Sequence, residues 1–372
     1  MKKFLRISWV VICVAVLAFY AISCLTSVIN PYSFSFISLF ALLFPFVFLA
    51  AFLCAVSLLF IHKKTALIVL VAIFILGFKN LSNTVALNSG NWDMKKAPNS
   101  LRILTWNVEQ FVSLAPQDKP QAQTRVQMLN AIHAYSPDVL CLQEYIDVFG
   151  DGFSYMSVKK ELDSLGYRYS YVSNDTVVKT WAPIIVFQGC AIYSKTPLVD
   201  SSRVNLAHTV SKENLIYTDI KFNNRPLRII TGHLSSFRLY ADTARTGTHK
   251  NIYELTYERK HSIEYKIRET EIEHKREVAI IRGVIDTSTY PVVYCGDINS
   301  TPATYTYNVL RGDLQDAFLQ KGAGLGGTFY KLPSTIRIDV CLPHKSLKVL
   351  QCTVPQLYLS DHFPVVTDVT WR

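Results

Sequence analysis

Two short stretches near the C-terminal end carry the groups best suited to chemistry. Pro291–Cys295 is an apolar run that leads into Gly296-Asp297-Ile298-Asn299, and some sixty residues later Ser360-Asp361-His362-Phe363-Pro364 precedes a second apolar run. Such a run reads as a buried strand, so these polar groups stand at strand ends. A carboxylate beside an amide suits a hard divalent cation, which favours oxygen ligands. A carboxylate beside a histidine suits a group that donates a proton or a hydrogen bond near neutral pH. Together the two pairs suit metal-assisted chemistry on a phosphate ester.

Four other strand ends carry similar groups: Asn107 after Leu101–Thr105, Gln143-Glu144 after Val139–Leu142, Gly232-His233-Leu234-Ser235 after Leu227–Thr231, and Arg337-Ile338-Asp339. Singly, each has a plain structural explanation. Asn and Asp shape turns and cap helices, and Asp297 with Asn299 could simply form the turn before Ser300-Thr301-Pro302. Asp339 could pair with Arg337 or Lys331. A lone histidine at a strand end is more often structural. The set is more telling than any member.

The elements that must position these groups alternate between strands and helices. Further strands are expected at Tyr167–Val172, Ile184–Tyr193, Leu215–Phe222, Leu347–Val354 and Phe363–Thr370, with a hairpin turn at Asn223-Asn224-Arg225-Pro226. Helices are expected over Gln121–Tyr135, Tyr155–Leu165 and Tyr305–Leu310. Arg245–Val284 reads as a long polar helix in which nine basic and seven acidic residues alternate. Mixed signs point to a solvated helix with i,i+4 pairs rather than to a nucleic-acid arm. Many strands with interspersed helices and hairpins suggest a mixed α/β sandwich, not a doubly wound parallel sheet. The glycine-rich stretch Gly322–Gly327 lacks the Lys-Ser/Thr of a P-loop.

The net charge of +10 is unevenly placed. Residues 1–99 hold eight basic residues and one acid, Asp93, and so account for +7 of it. The remaining +3 does not reveal the basic face of a tight nucleic-acid binder. Five of the eight cysteines lie after residue 100, an odd number that forbids a complete set of internal disulfides; Cys341 and Cys352 could meet across a hairpin. No cysteine or histidine spacing suggests zinc.

Residues 9–87 are mostly apolar. Trp9–Ile29 and Phe36–Ile61 carry no formal charge and are long enough to span a bilayer, which needs roughly 20 apolar residues. Thr65–Phe78 is shorter and continues through Leu81–Leu87 past Lys79, which can snorkel. The first segment alone would also fit a signal peptide, but a second long apolar run follows at once. Lys2, Lys3 and Arg6, then His62-Lys63-Lys64, set the cytoplasmic ends by the positive-inside rule. A third span then places everything after residue 90 on the periplasmic or extracellular side. The expected domains are a transmembrane region over 1–87, a linker over 88–100 and a catalytic domain over 101–372.

The order Trp106-Asn107-Val108, Gln143-Glu144, Gly189-Cys190-Ala191-Ile192-Tyr193-Ser194-Lys195, Gly232-His233-Leu234, Gly296-Asp297-Ile298-Asn299-Ser300-Thr301-Pro302, Arg337-Ile338-Asp339 and Ser360-Asp361-His362-Phe363-Pro364 resembles the endonuclease/exonuclease/phosphatase superfamily over about residues 101–372. The resemblance implies a four-layered α/β sandwich with two packed mixed β-sheets and Mg²⁺- or Mn²⁺-dependent cleavage of phosphate esters. It implies Glu144 as the main metal ligand, with Asn107 beside it and Asp361 completing the metal environment. It implies that Asp297 and Asn299 orient or deprotonate the attacking water and hold phosphoryl oxygens, and that His233 donates to the phosphate. His362 would bind the phosphate or act as acid or base, oriented by Asp339. Glu109 could help bind the metal indirectly or be an exposed polar residue.

Three functions follow. The first is a membrane-anchored phosphodiesterase or phosphatase, nuclease-like in its commonest form. The second is a phosphoesterase directed at lipid headgroups, which an exposed aromatic loop near the site would support; Phe149-Gly150-Asp151-Gly152-Phe153 is either such a loop or an ordinary one. The third is a non-catalytic module that binds a phosphorylated ligand, against which the intact set of polar residues argues. The implied partners are a phosphate-ester substrate, as nucleic acid or lipid headgroup, and the bilayer; no protein partner is implied.

Overall fold

The computed structural model describes residues 2–31, 37–112, 120–150, 157–179, 184–206, 214–237, 263–331 and 336–372. The chain divides into two compact units. One comprises Met1–Val85, Ser236–Lys275 and Ser300–Val309; the other comprises Ala86–Ser235, Arg276–Asn299 and Leu310–Arg372.

The first unit is built on helices α1 (Lys2–Leu25), α2 (Ile37–Leu58) and α3 (Lys63–Thr84). All three are long and apolar enough to cross a membrane, over Phe4–Leu25, Ile37–Leu58 and Lys63–Thr84. The third continues through Lys79 to Thr84 without a break. Small residues and aromatics share the interior: Tyr20, Ala41, Phe44, Ala51, Ala55 and Ile73 form one buried cluster. Gly77 is required there, because a methyl group on it would lie 1.8 Å from the Tyr20 hydroxyl. That hydroxyl donates to Ile73 O at 2.6 Å. Close packing and a buried hydrogen bond of this kind help to hold the three helices together.

Among its described residues the second unit carries fourteen strands: β1 (Ala86–Leu87), β2 (Leu101–Asn107), β3 (Val139–Gly150), β4 (Tyr169–Val172), β5 (Thr176–Lys179), β6 (Ile184–Ser194), β7 (Leu198–Asn205), β8 (Asn214–Phe222), β9 (Arg225–His233), β10 (Val292–Asp297), β11 (Ala323–Gly324), β12 (Asp339–Pro343), β13 (Leu347–Thr353) and β14 (Val365–Trp371). A seven-stranded sheet runs β13-β14-β2-β3-β6-β4, with β5 also paired to β6; a five-stranded sheet runs β12-β10-β9-β8-β7. Both mix parallel and antiparallel pairs: β2 is parallel to β3, and β9 to β10. The sheets pack face to face, with Ile103, Val139, Cys141 and Ile192 from one meeting Ile216, Ile229, Val293 and Cys295 from the other. The outer face of the larger sheet buries Leu104, Leu140, Leu142 and Tyr193 against Met128, Leu129, Ile132, Val158 and Leu162. Those residues come from helices α5 (Pro120–Tyr135) and α6 (Val158–Ser164), which follow the short turn α4 (Glu109–Val112). Three further helices are α7 (Ile263–Asp286), α8 (Tyr305–Arg311) and α9 (Ala317–Lys321). This is the mixed two-sheet architecture expected.

Residues 88–100 are fastened to the strands around them: Gln351 Oε1 accepts from Asp93 N at 2.9 Å, and Arg102 Nη1 donates to Met94 O at 2.9 Å. Other expectations are corrected. Helix α7 is not a solvated rod, because Glu271, His274 and Glu277 share a buried face; the part of that expected helix before residue 263 lies outside the described residues. Cys341 and Cys352 are free thiols; Cys341 Sγ lies instead 3.5 Å from Cys295 Sγ. Of the expected aromatic loop, residues 151–153 lie outside the described residues, while Phe149 meets Phe187 edge-on at 5.3 Å.

Candidate active site

Register alone brings most of the candidate groups together. The parallel pairing of β2 and β3 sets Asn107 opposite Gln143. In the other sheet, Asp297 at the end of β10 stands opposite His233 of β9 on one side and Asp339 of β12 on the other. Gly232 and Gly296 make that approach possible: a Cβ on Gly296 would lie 2.2 Å from Gly232 O.

Glu144 needs a special device. Simple alternation along β3 would send it to the outer face, with Leu140 and Leu142. Between Leu142 and Tyr145 the register shifts, and Glu144 takes a left-handed φ of 48°. A bulge of this kind re-aims a side chain. Past it the alternation is reversed, and the Glu144 Oε1 atom accepts from Asn107 Nδ2 at 3.1 Å. The same Asn107 nitrogen lies 3.2 Å from Asp297 Oδ2. One amide thus draws together two carboxylates from different sheets. Positive φ recurs at Glu109 (43°), Gln110 (56°), Phe111 (51°) and Asn299 (46°). Non-glycine residues in this region cost about 1–3 kcal/mol each and cluster where surrounding structure over-determines them, as at active sites.

His362 is bracketed by acids. Its Nδ1 is 2.9 Å from Asp339 Oδ2, and its Nε2 is 3.6 Å from Asp297 Oδ2. Burial opposes a charge on this imidazole, but Asp339 and Asp297 outweigh it and raise its pKa to about 9. Burial pushes the Asp339 carboxyl upward, against the pull of His362. Both shifts mean that the His362–Asp339 pair keeps its proton well above neutral pH. Burial favours the neutral form of Asp297, yet His362 and His233 prevail and hold it down to about 2. His233 Nε2 is 3.3 Å from Asp297 Oδ2 and 3.0 Å from Asn299 Nδ2. Asn299 also donates Nδ2 to Leu234 O at 2.8 Å and its backbone N–H to Asp297 Oδ1 at 2.8 Å.

Seven of the eight expected site residues therefore form one connected cluster: Asn107, Glu144, His233, Asp297, Asn299, Asp339 and His362. Asp361 stands beside it. Its Oδ2 accepts from Lys331 Nζ at 2.8 Å, and its Oδ1 is 4.0 Å from His362 Nε2. Glu109 joins that ion pair: Oε2 accepts from Asp361 N at 3.0 Å, and Oε1 lies 3.3 Å from Lys331 Nζ. The alternative partners proposed for Asp339 are used elsewhere, since Arg337 pairs with Asp316 at 2.6 Å.

Four supporting residues carry no assigned role in the sequence reading. Gln143, fully buried, donates Nε2 to Thr231 Oγ1 at 2.8 Å and so ties the sheets behind the cluster. The Ser360 hydroxyl donates to Asn107 O at 2.7 Å, and Trp106 Nε1 to His362 O at 2.9 Å. Thr328 Oγ1 accepts from Asp339 N at 3.1 Å. Gln143 and Ser360 adjoin residues already marked, which is the one signal they offered; nothing local marks Thr328.

Asp297, Asp339 and His362 also lie close enough to share an ion, with ligand atoms within 4.8 Å of one another. They are one donor set that a cation could take; the oxygens of Asn107, Glu144 and Asp297, drawn together on the Asn107 amide, are a second, all-oxygen set of the kind a hard cation favours.

Residues 104–362 match the endonuclease/exonuclease/phosphatase family, and residues 2–84 match a domain of unknown function (DUF8431). Among curated proteins, the chain is 24% identical over 229 residues to nocturnin of Rattus norvegicus, covering 56% of this chain and 45% of that protein. The chain thus spans about half the length of the curated relatives it matches. Among solved structures it shares its fold with an endonuclease/exonuclease/phosphatase family protein of Bacteroides thetaiotaomicron (TM-score 0.51, 15% identity, 75% of this chain and 97% of that one). A second such protein, from Beutenbergia cavernae, superposes with a TM-score of 0.50 at 20% identity, over 74% of this chain and 72% of that one. The family match covers well over half of the chain, which therefore belongs to the endonuclease/exonuclease/phosphatase family.

Proposed function

We propose that the chain hydrolyses phosphodiesters with the help of Mg²⁺ or Mn²⁺ while anchored in a membrane by α1–α3. The observation that carries this reading is the bracketing of His362 between Asp339 and Asp297, beside two carboxylates drawn together on Asn107. A phosphodiester needs groups of both signs: anionic oxygens for a cation, and a cationic donor for the phosphate. Glu144 and Asn107 would hold the cation, with Asp361 completing its surroundings. When bound, it would neutralise charge developing on the phosphoryl oxygens.

The remaining work falls to the chain itself. Asp297, ionised down to about pH 2, accepts a hydrogen bond from a water and orients it. His233 donates to a phosphoryl oxygen, and Asn299, fixed on Leu234 O and Asp297, helps to orient His233 and the water. The His362 imidazolium, kept charged by Asp339, donates to the phosphate or to the departing oxygen. Preorganised donors of this kind supply much of an enzyme's transition-state stabilisation. Asp361 acts with Lys331 and Glu109 at the edge of the cluster.

In this reading, residues 1–87 are the membrane region, 88–100 connect and 101–372 are catalytic. It takes Lys2, Lys3 and Arg6 as the mark of a cytoplasmic N-terminus, from which three spans would carry the catalytic part to the far side. A lipid headgroup is the second reading for the substrate, favoured by the three apolar helices in the same chain.

The test is a substrate panel with the purified full-length chain: plasmid DNA, RNA, nucleotide monoesters, phosphoinositides and sphingomyelin, each with Mg²⁺ and with chelator. Metal-dependent release from a diester supports the proposal. Turnover of monoesters alone, or turnover indifferent to chelator, would refute it.

A further inference from the structure

Thr26 follows the last residue of α1, and Asn80 lies in the last turns of α3. Both side chains are 1% exposed. An amide and a hydroxyl so deep in an apolar bundle need partners. Asn80 Nδ2 donates to Ser23 O at 2.9 Å and to Thr26 Oγ1 at 3.2 Å, which uses both of its hydrogens. Thr26 Oγ1 lies 2.8 Å from Ser23 O and 2.7 Å from Ala303 O. A hydroxyl carries one hydrogen. Both carbonyls are within its donating reach, Ala303 O being the nearer. A polar path thus runs from Asn80 through Thr26 to the Ala303 carbonyl.

Ala303 is four residues past Asn299 in the sequence. Its methyl group is buried among Tyr20, Ala41, Phe44 and Ile73. Two more contacts hold the same stretch: Asn83 Nδ2 donates to Asn308 Oδ1 at 3.0 Å, and Ser300 Oγ lies 3.2 Å from His274 Nδ1. Ser300–Val309 therefore belongs with the apolar helices, yet Ser300 is bonded directly to Asn299. Asn299 sits at a φ of 46°, a strained conformation that lasts only while its surroundings enforce it. The family match begins at residue 104, so Thr26 and Asn80 lie outside it.

We propose that Thr26 and Asn80 are positioning residues for the phosphate-handling loop: their hydrogen-bond chain anchors Ala303 and so holds Asn299 in its strained, working conformation. Neither touches substrate. The effect on rate rests on the phosphoesterase reading; the effect on loop order does not. A displacement near 1 Å at a catalytic group can cost as much as ~100-fold in rate, and a partial loosening costs less.

The experiment uses the full chain in lipid nanodiscs. Thr26→Val keeps the shape and removes the donor; Thr26→Ser keeps the donor. Hydrogen exchange is followed at Asp297–Asn299, and kcat and KM are measured on an activated phosphodiester. Thr26→Val is expected to speed exchange at Asn299 by about ten-fold and to lower kcat by about ten-fold with KM little changed. Thr26→Ser should match the wild type in both. Wild-type exchange at Asp297–Asn299 in Thr26→Val overturns the proposal whatever the turnover. So does loosening spread evenly over α1–α3, which marks a purely structural bond. If Thr26→Val does not fold, Thr26→Cys, of similar volume with a weak donor, gives the same comparison. Absence of hydrolysis by the wild type would sink the phosphoesterase reading alone, because exchange does not depend on turnover.

Discussion

Asp339→Asn removes one charge from behind His362 and keeps the shape of the side chain. The imidazole pKa is raised from 6.5 to about 9 in the folded chain. At about 1.4 kcal/mol per pH unit, that corresponds to about 3 kcal/mol in favour of the imidazolium. Two carboxylates supply it against the cost of burial, with Asp339 at 2.9 Å contributing more than Asp297 at 3.6 Å. Loss of the larger share should lower the imidazole pKa by more than about one pH unit. The assay is kcat against pH on an activated phosphodiester with saturating Mg²⁺. The wild type should hold its rate until near pH 9 and fall above it. The variant's alkaline limb should start at least about one pH unit lower, with a rate at neutral pH reduced by about 10²-fold or more. Stability should shift as well. Because folding raises the His362 pKa, its contribution is complete below about 6.5 and is lost as pH rises through about 9. An unmoved alkaline limb in Asp339→Asn would refute the assignment of His362 as a charged donor held by Asp339.

Glu144→Gln should lower kcat by about 10²–10³-fold and raise the Mg²⁺ concentration needed for half-maximal rate, while the unfolding midpoint stays put; an unchanged metal requirement would remove Glu144 from the cation site. Asp368→Asn leaves the Arg102 guanidinium without its buried, two-pronged partner, now 2.7 and 2.8 Å away. It should cost about 3–5 kcal/mol in denaturant unfolding, and a loss below about 1 kcal/mol would show the pair to be replaceable. Protease added outside intact cells or spheroplasts should cleave the catalytic part; full protection would place it in the cytoplasm.

Much of the site was legible because a β-strand fixes where its last residue points. Apolar runs ending in Asn107, His233 and Asp297 put each group at a sheet end, and pairing register did the rest. Glu144 was visible as a strand-end group, but its metal role came only from resemblance. Its position on β3 points the wrong way by simple alternation, and the bulge that turns it inward leaves no mark in a two-residue period. Strand β7 escaped notice for a related reason: its exposed edge carries Asp200, Ser201, Ser202 and Arg203, with too little apolar content to signal a strand. The buried face of α7 was misread because charge alternation looks the same whether a helix is solvated or its carboxylates have buried duties. Glu277, for example, accepts from the Ser235 hydroxyl at 2.7 Å, two residues past His233. Nothing local could show Thr26 reaching Ala303, a contact across 277 residues of sequence.

The central claim is that strand-end residues from two sheets form a single cation-assisted phosphodiester site. Its most direct test is the turnover of an activated phosphodiester by the purified full-length chain, before and after chelation, beside Asp297→Ala and His362→Ala. The expected result is hydrolysis that chelator abolishes and Mg²⁺ or Mn²⁺ restores, reduced by about 10²-fold or more in each variant. Wild-type turnover in either variant, or a rate untouched by chelation, would contradict it.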